Sequence, residues 1–233
     1  MKEKKYIEFN FKTREERKFK RRIGGSDLAC IMGQSKWETI NDLFTRLVYP
    51  ERYKAPDLSN NPRVQEGAKA EEFIRELWAL EHPSYKVINP PKENWLFIRK
   101  DNEWMSVSPD GLLNDYTGAL EFKDCEIYSK KQLEKWESGE IPRQYYYQIM
   151  QYFIVINTLK EIYLIARLKI MNNKELDYVK ELTYHFTRKN LKEEIKECEK
   201  IEKAFIEKYI LTKTRPNENY LELLKGDLKK WIK

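Results

Sequence analysis

The sequence predicts an α/β (α+β) fold, a central mixed sheet flanked by helices, and three observations point to it. Apolar residues recur at helical spacing up to Leu80. Short apolar runs bounded by Pro, Asn, Asp and Gly then follow, and a long helical segment after Pro142 leads into two further strand-like runs. No solenoid-period repeat and no Gly/Ser/Pro-rich linker divides the 233 residues. We therefore expect one domain over 1–233, with a core from about 23 to 170 and a helical extension from about 187 to 233.

Taken in order, a strongly basic stretch, Glu15 to Arg22, precedes Ile23-Gly24-Gly25-Ser26-Asp27, where two glycines permit a tight turn. Ser26 or Asp27 can cap a helix over Leu28–Met32, whose start presents free backbone N–H groups. Thr39 opens a second helix through Leu43, Phe44 and Leu47. Val64 to Leu80 forms a third, with Phe73, Ile74, Leu77, Trp78 and Leu80 on its apolar side and Pro83 ending it. Lys86–Ile88, Trp95–Ile98, Met105–Val107 and Gly118–Lys123 read as strands of a small, mainly antiparallel meander, broken by Pro90-Pro91 and Asp101-Asn102. A helix over Lys130–Trp136, a break over Gly139–Pro142 and a long helix over Arg143–Ile156 come next. Glu161–Ile170 and Leu176–Phe186 read as strands. Lys189–Ile210 reads as an amphipathic helix with a core stripe of Leu191, Ile195, Ile201 and Phe205, and Glu218–Trp231 as a last short helix.

Composition excludes several classes. With 41% hydrophobic and 35% charged residues, and a mean hydropathy of -0.80, no run approaches the roughly 18 apolar residues of a membrane span. The basic start leads into Tyr6-Ile7-Glu8-Phe9 rather than an apolar secretory segment, so the cytoplasm is the expected location, that of a host cell if the chain is phage-encoded. Cys30, Cys125 and Cys198 lie far apart, which argues against a disulfide framework, a zinc knuckle or a thiolate-held cluster. His82 and His185 stand alone in sequence, so a histidine metal site or a Ser-His triad has little support. The net charge of +6 favours a polyanionic partner without demanding one.

The most informative segment is Ser108-Pro109-Asp110-Gly111, followed eleven residues after Asp110 by Glu121-Phe122-Lys123. If Asp110 ends one strand and Glu121 to Lys123 lie on the next, hairpin pairing brings Asp110 near Glu121, and alternation puts Glu121 and Lys123 on one face. Two carboxylates and an ammonium then meet. Hard oxygen ligands suit Mg²⁺ or Mn²⁺, which polarise a phosphodiester and activate a water, and the lysine can orient that water or help deprotonate it. A Glu-x-Lys triplet alone is common in so charged a chain; its company gives it weight.

That company, in order, is Ile23-Gly24-Gly25-Ser26-Asp27, Gly67-x-x-x-Glu71, Ser108-Pro109-Asp110-Gly111, Glu121-x-Lys123 and Ile141-Pro142-x-x-Tyr145-x-x-Gln148-Ile149-x-Gln151. From about Ile23 to Ile170 it resembles the YqaJ-type viral recombinases, the group that includes phage lambda exonuclease. The resemblance implies a PD-(D/E)XK restriction-endonuclease-like core. It also implies a Mg²⁺-dependent 5′-to-3′ exonuclease acting on linear double-stranded DNA ends, commonly as a ring-shaped homo-oligomer, a trimer, with a single-strand annealing protein as partner in recombination. By the same resemblance Asp110 and Glu121 match the metal ligands, Glu71 the helical acid that supports the metal, Lys123 the catalytic lysine and Gln148 the motif glutamine.

Glu66, Glu72 and Glu76 are rival carboxylates for the place of Glu71, and Gln144 and Gln151 rival Gln148. Ser26 fits the serine near the DNA end; Arg17, Arg22, Ser108, Tyr145 and Gln151 complete the candidate DNA contacts, with Lys130 to Arg143, including Trp136, lining a channel. Two places depart from the pattern: Phe19 stands where relatives carry an arginine, and Glu72 where they carry a proline. An endonuclease of the same fold and a non-catalytic DNA-binding protein are the alternatives.

Overall fold

The computed structural model describes residues 3–11, 22–54, 60–91 and 95–230. Its strands form two sheets rather than the single meander expected. The smaller is antiparallel with order β1 (Tyr6–Asn10), β3 (Trp95–Arg99), β4 (Ser106–Val107). The larger has order β2 (Val87–Ile88), β5 (Gly111–Leu113), β6 (Gly118–Ile127), β7 (Glu161–Asn172), β8 (Glu175–Thr187). Pairing there is antiparallel except between β6 and β7, which run parallel. A parallel neighbour demands a crossover, and the expected helices supply it: α4 (Lys130–Glu137) and α5 (Arg143–Val155) carry the chain from β6 back to the start of β7.

Helices cover the larger sheet. α3 (Pro62–Glu81) lays Ala70, Ile74 and Trp78 on Leu113, Leu120, Phe122 and Ile165. Phe73 and Leu80, expected on its buried side, are exposed. The sheet contacts follow the i, i+4 line through Ala70, Ile74 and Trp78, and the other apolar residues of the expected stripe stand off that line. α5 buries Ile149 to Val155 in the main core beside Trp95, Phe97, Leu28 and Phe44. α1 (Asp27–Ile31) and α2 (Ile40–Val48) complete that core. Thr39 starts α2 with a reciprocal capping box, its hydroxyl accepting from Asp42 N while the Asp42 carboxylate accepts from Thr39 N.

The chain closes with α6 (Lys192–Phe205), which continues as a π-helical turn over Ile206–Ile210, and α7 (Tyr220–Lys230). Ile195, Ile201 and Phe205 are buried as their spacing predicts. The Tyr220 hydroxyl lies 3.0 Å from the carbonyl oxygens of Cys30 and Ile31, so the last helix satisfies the open end of α1. No helix among the described residues is long and apolar enough to cross a membrane.

Candidate active site

Antiparallel register builds the site. Gly111 of β5 lies opposite Leu120 of β6, which sets Asp110 beside Glu121, and the Asp110 carboxylate accepts a hydrogen bond from Phe122 N at 2.8 Å. The turn before β5 is tied down at three points. Ser108 Oγ donates to Trp95 O at 2.7 Å, Trp95 Nε1 donates to Pro109 O at 2.7 Å, and Arg75 of α3 donates to Asp110 O at 2.5 Å.

On β6, Glu121 and Lys123 project toward α5, as period-two alternation requires. Glu121 is buried, with both oxygens engaged. Oε1 accepts from the Lys123 ammonium and, at 2.7 Å, from Gln148 Nε2; Oε2 accepts from the Tyr152 hydroxyl. That hydroxyl also sits 3.2 Å from Ser108 O, so Tyr152 links the Asp110 turn to Glu121. Gln148 and Tyr152 are one helical turn apart and share a face of α5. Gly25 presses on both: a Cβ there would fall 3.2 Å from Gln148 Cγ and 3.3 Å from Tyr152 Cε1. The glycine pair thus serves close packing against the helix that carries the glutamine. Ile23 anchors this segment to β4, donating to Trp104 O at 2.8 Å and accepting from Ser106 N at 2.9 Å.

Charge at the site is unbalanced toward the negative. Burial pushes the Asp110 carboxyl well above its ordinary range, and the charges of Glu121 and Glu71 push it further. Glu71 rises for the same reasons, burial first and Glu121 next. Burial works to lower the Lys123 ammonium, but Glu121 and Asp110 outweigh it and hold the lysine protonated. Three carboxylates therefore face one ammonium, with the Arg75 guanidinium also acting on Glu71. Such a hard-oxygen set fits a divalent cation, whose charge would relieve the mutual repulsion. Among the described residues no three His, Cys, Asp or Glu side chains converge tightly enough to grip an ion as they stand, and Lys123 pairs with Glu121 here.

Other expected residues fare differently. Tyr145 is half-buried, its ring 4.9 Å beneath Lys123 Nζ and its hydroxyl 3.6 Å from Cys125 Sγ. Ser26 sits exposed at the N-terminus of α1, and its side chain makes no capping bond; the Asp27 carboxylate instead accepts from Gly24 N at 2.7 Å. Ser108 Oγ donates its hydrogen bond to Trp95 O, which leaves that hydrogen engaged rather than offered to a phosphate. Arg22 is drawn to Glu103, donating to its backbone oxygen and lying 3.5 Å from its carboxylate, in a separate cleft with Arg99 and Asp101. Arg17 and Phe19 lie outside the described residues. Gln151 is a correction: it is wholly buried, donating to Glu202 Oε1 at 2.7 Å, and has no surface to offer DNA. Trp136 is almost wholly buried against Tyr145 and Tyr184, and it stands in the wall of a cleft that Lys135, Pro142 and Arg143 also line, so this segment does border a groove. His82 and His185 contact Trp78 O and Glu161 at 3.0 and 2.9 Å.

Sequence reasoning missed Tyr152 and Arg75. The signal for Tyr152 is its place four residues after Gln148, on the same helix face. Arg75 had the same relation to Glu71.

The family model of the YqaJ-like viral recombinase domain matches residues 11–159. Three solved structures share the fold. An alkaline exonuclease (LHK-Exo) from Laribacter hongkongensis matches at 18% identity and TM-score 0.58, covering 93% of this chain and 99% of that one. LHK-Exo in complex with dAMP matches at 17% and 0.54, over 92% and 96%. A phage related exonuclease from Haemophilus somnus 129PT matches at 14% and 0.51, over 82% and 96%. No curated protein matches the chain.

Proposed function

This chain belongs to the YqaJ-like viral recombinase domain family, and on that premise we propose that it is a Mg²⁺-dependent exonuclease acting on linear double-stranded DNA. It hydrolyses phosphodiesters from the 5′ end, within phage-type recombination. The observation that carries this reading is the register of β5 on β6, which gathers Asp110, Glu121 and Lys123 beside Glu71. Support also comes from the structures sharing this fold, which are exonucleases, one of them with dAMP bound.

Asp110 and Glu121 would hold Mg²⁺, for which Mn²⁺ can substitute, with Glu71 assisting. When bound, the ion supplies Lewis acidity at the phosphodiester and a more acidic water. The chain does the rest. Lys123 brings protons and positive charge to the side of Glu121 where the water must be oriented. Gln148 and Tyr152 fix the Glu121 carboxylate, so its lone pairs point one way throughout. The water oxygen bonds to phosphorus, the P–O3′ bond breaks, and the 3′-oxygen leaves with a proton, giving a 5′-phosphate. Contacts to backbone phosphates make binding sequence-independent and salt-sensitive. In this reading the chain acts as a homo-oligomer, a trimer, alongside a single-strand annealing protein.

The test is digestion of linear duplex DNA with a closed circle alongside, in Mg²⁺ and in EDTA, by wild type and Asp110→Ala. Expected is Mg²⁺-dependent loss of the linear DNA only, abolished by the substitution, with a 5′ label released before a 3′ label. Cleavage of the circle would move the assignment to an endonuclease, and binding without cleavage would overturn catalysis altogether.

A further inference from the structure

A cleft of about 1120 Å³ is lined among others by Lys36, Trp37, Cys125, Arg143, Tyr145 and Tyr146. Tyr145 ties it to the site: the residue lines the cleft, and its ring lies under Lys123. Lys36 and Trp37 come from the loop between α1 and α2. At 82% exposure Trp37 is the most exposed large apolar side chain among the described residues.

The loop that presents it is braced rather than loose. Ser35 Oγ accepts from Trp37 N and Glu38 N, each at 3.2 Å. Arg46 grips both Glu38 carboxylate oxygens at 2.9 Å and reaches Asp27 at 2.8 Å. Cys30 Sγ donates to Glu38 O at 3.3 Å. A braced loop thus presents an exposed indole at the edge of a cleft that also carries Lys36 and Arg143, the combination of ring and cation that receives a base beside its phosphate. Within a duplex both faces of each base pair are covered by its neighbours. Only a terminal or unpaired base has a face free for an indole.

We propose that Trp37 is a stacking platform for the nucleobase of a terminal or unpaired nucleotide, seated in this cleft beside the phosphodiester to be cut. The proposal rests on the nuclease reading and adds to it a physical preference for DNA ends. Stacking of this kind is indifferent to which base is present.

The test uses duplexes carrying 2-aminopurine at successive positions from the 5′ end, in EDTA so that nothing is cut, with wild type, Trp37→Ala and Trp37→Phe. The probe's fluorescence falls when it stacks. Wild type is expected to quench it at the first positions only. Trp37→Ala should lose that quench and bind the end about tenfold more weakly, with an unchanged melting temperature, and Trp37→Phe should restore most of both. Quenching and affinity unchanged in Trp37→Ala would overturn the platform. Failure of the two readings is separable. If wild type quenches through Trp37 but cuts nothing in Mg²⁺, the nuclease falls and the platform stands. If wild type cuts and Trp37→Ala binds ends as well as it does, the platform falls alone. No binding to DNA ends by folded wild type overturns it too.

Discussion

The hydroxyl of Tyr152 donates to Glu121 Oε2, so a tyrosine in the core of α5 holds one of the two carboxylates on the strand pair. Phenylalanine at 152 keeps the ring and its packing and removes only that donor, leaving a buried carboxylate oxygen unmet. Partners of this kind are typically worth 10–100-fold in metal affinity or activity, and an unmet buried acceptor costs about 1–3 kcal/mol. Tyr152→Phe should therefore need more Mg²⁺ for half-maximal cleavage, lower kcat about tenfold or more, leave KM for DNA nearly unchanged and melt earlier. Cleavage titrated against Mg²⁺ checks this; an unchanged Mg²⁺ requirement would remove Tyr152 from the site.

Gly25 and Gly24 separate by geometry. A Cβ at 24 would lie 3.5 Å from Asp27 Oδ2, an ordinary contact, whereas at 25 it meets Gln148 and Tyr152 at 3.2 and 3.3 Å. Gly25→Ala should push the Gln148 amide off Glu121 and lower kcat by about tenfold, with overpacking adding about 1–3 kcal/mol of destabilisation. Gly24→Ala should be close to wild type in both. Steady-state kinetics and melting of the pair decide it, and equal behaviour of the two variants would refute the close-approach argument.

Asp110→Asn keeps an oxygen for Phe122 N and removes one of the crowded charges. Without metal the variant should melt higher than wild type, because a carboxylate beside Glu121 and Glu71 is repelled by both. With Mg²⁺ the order should reverse. An ion that binds only the folded state stabilises by about 2.7 kcal/mol at a hundred times its Kd, and the variant forfeits that gain along with activity. Thermal melts with and without Mg²⁺ test the ligand assignment without relying on catalysis; an equal Mg²⁺ shift in both proteins would contradict it.

Local pattern carried much of this site into view. The eleven-residue interval from Asp110 to Glu121 left room for a hairpin, and β5 and β6 form one. The strand β5 itself escaped notice because it is three residues long and ends in a turn where Asn114, Asp115 and Tyr116 all take positive φ. Nor could spacing divide the strands between two sheets. β3 and β4 pair with β1, which lies far upstream and was weighed only as a leader segment. Helical period likewise fixes an angle and not a depth. Gln148 and Gln151 are three apart, yet one meets Glu121 and the other Glu202, a residue 51 positions away that only the packed fold brings near.

That second pairing sets a pH dependence. Glu202 is wholly buried, and burial, with lesser contributions from Glu199 and Asp27, pushes its carboxyl up to about 8 against the pull of Gln151 and Arg99. Gln151 donates to Glu202 Oε1, while Gln151 Oε1 and Glu202 Oε2 are buried without another partner. A protonated Glu202 can satisfy both by donating from Oε2 to the amide oxygen. The folded chain thus binds this proton more tightly than the unfolded one, whose glutamate has the ordinary value of 4.5. Stability from this group is complete below pH 4.5 and is lost as pH rises to about 8, at up to roughly 1.4 kcal/mol per unit. Glu202→Gln can make the same reciprocal pair with no proton to lose. It should match wild type near pH 4 and exceed it by a margin that grows up to about pH 8 and then levels off. Urea midpoints of both proteins across that range measure the difference, and parallel curves would show that the Glu202 proton does not control stability.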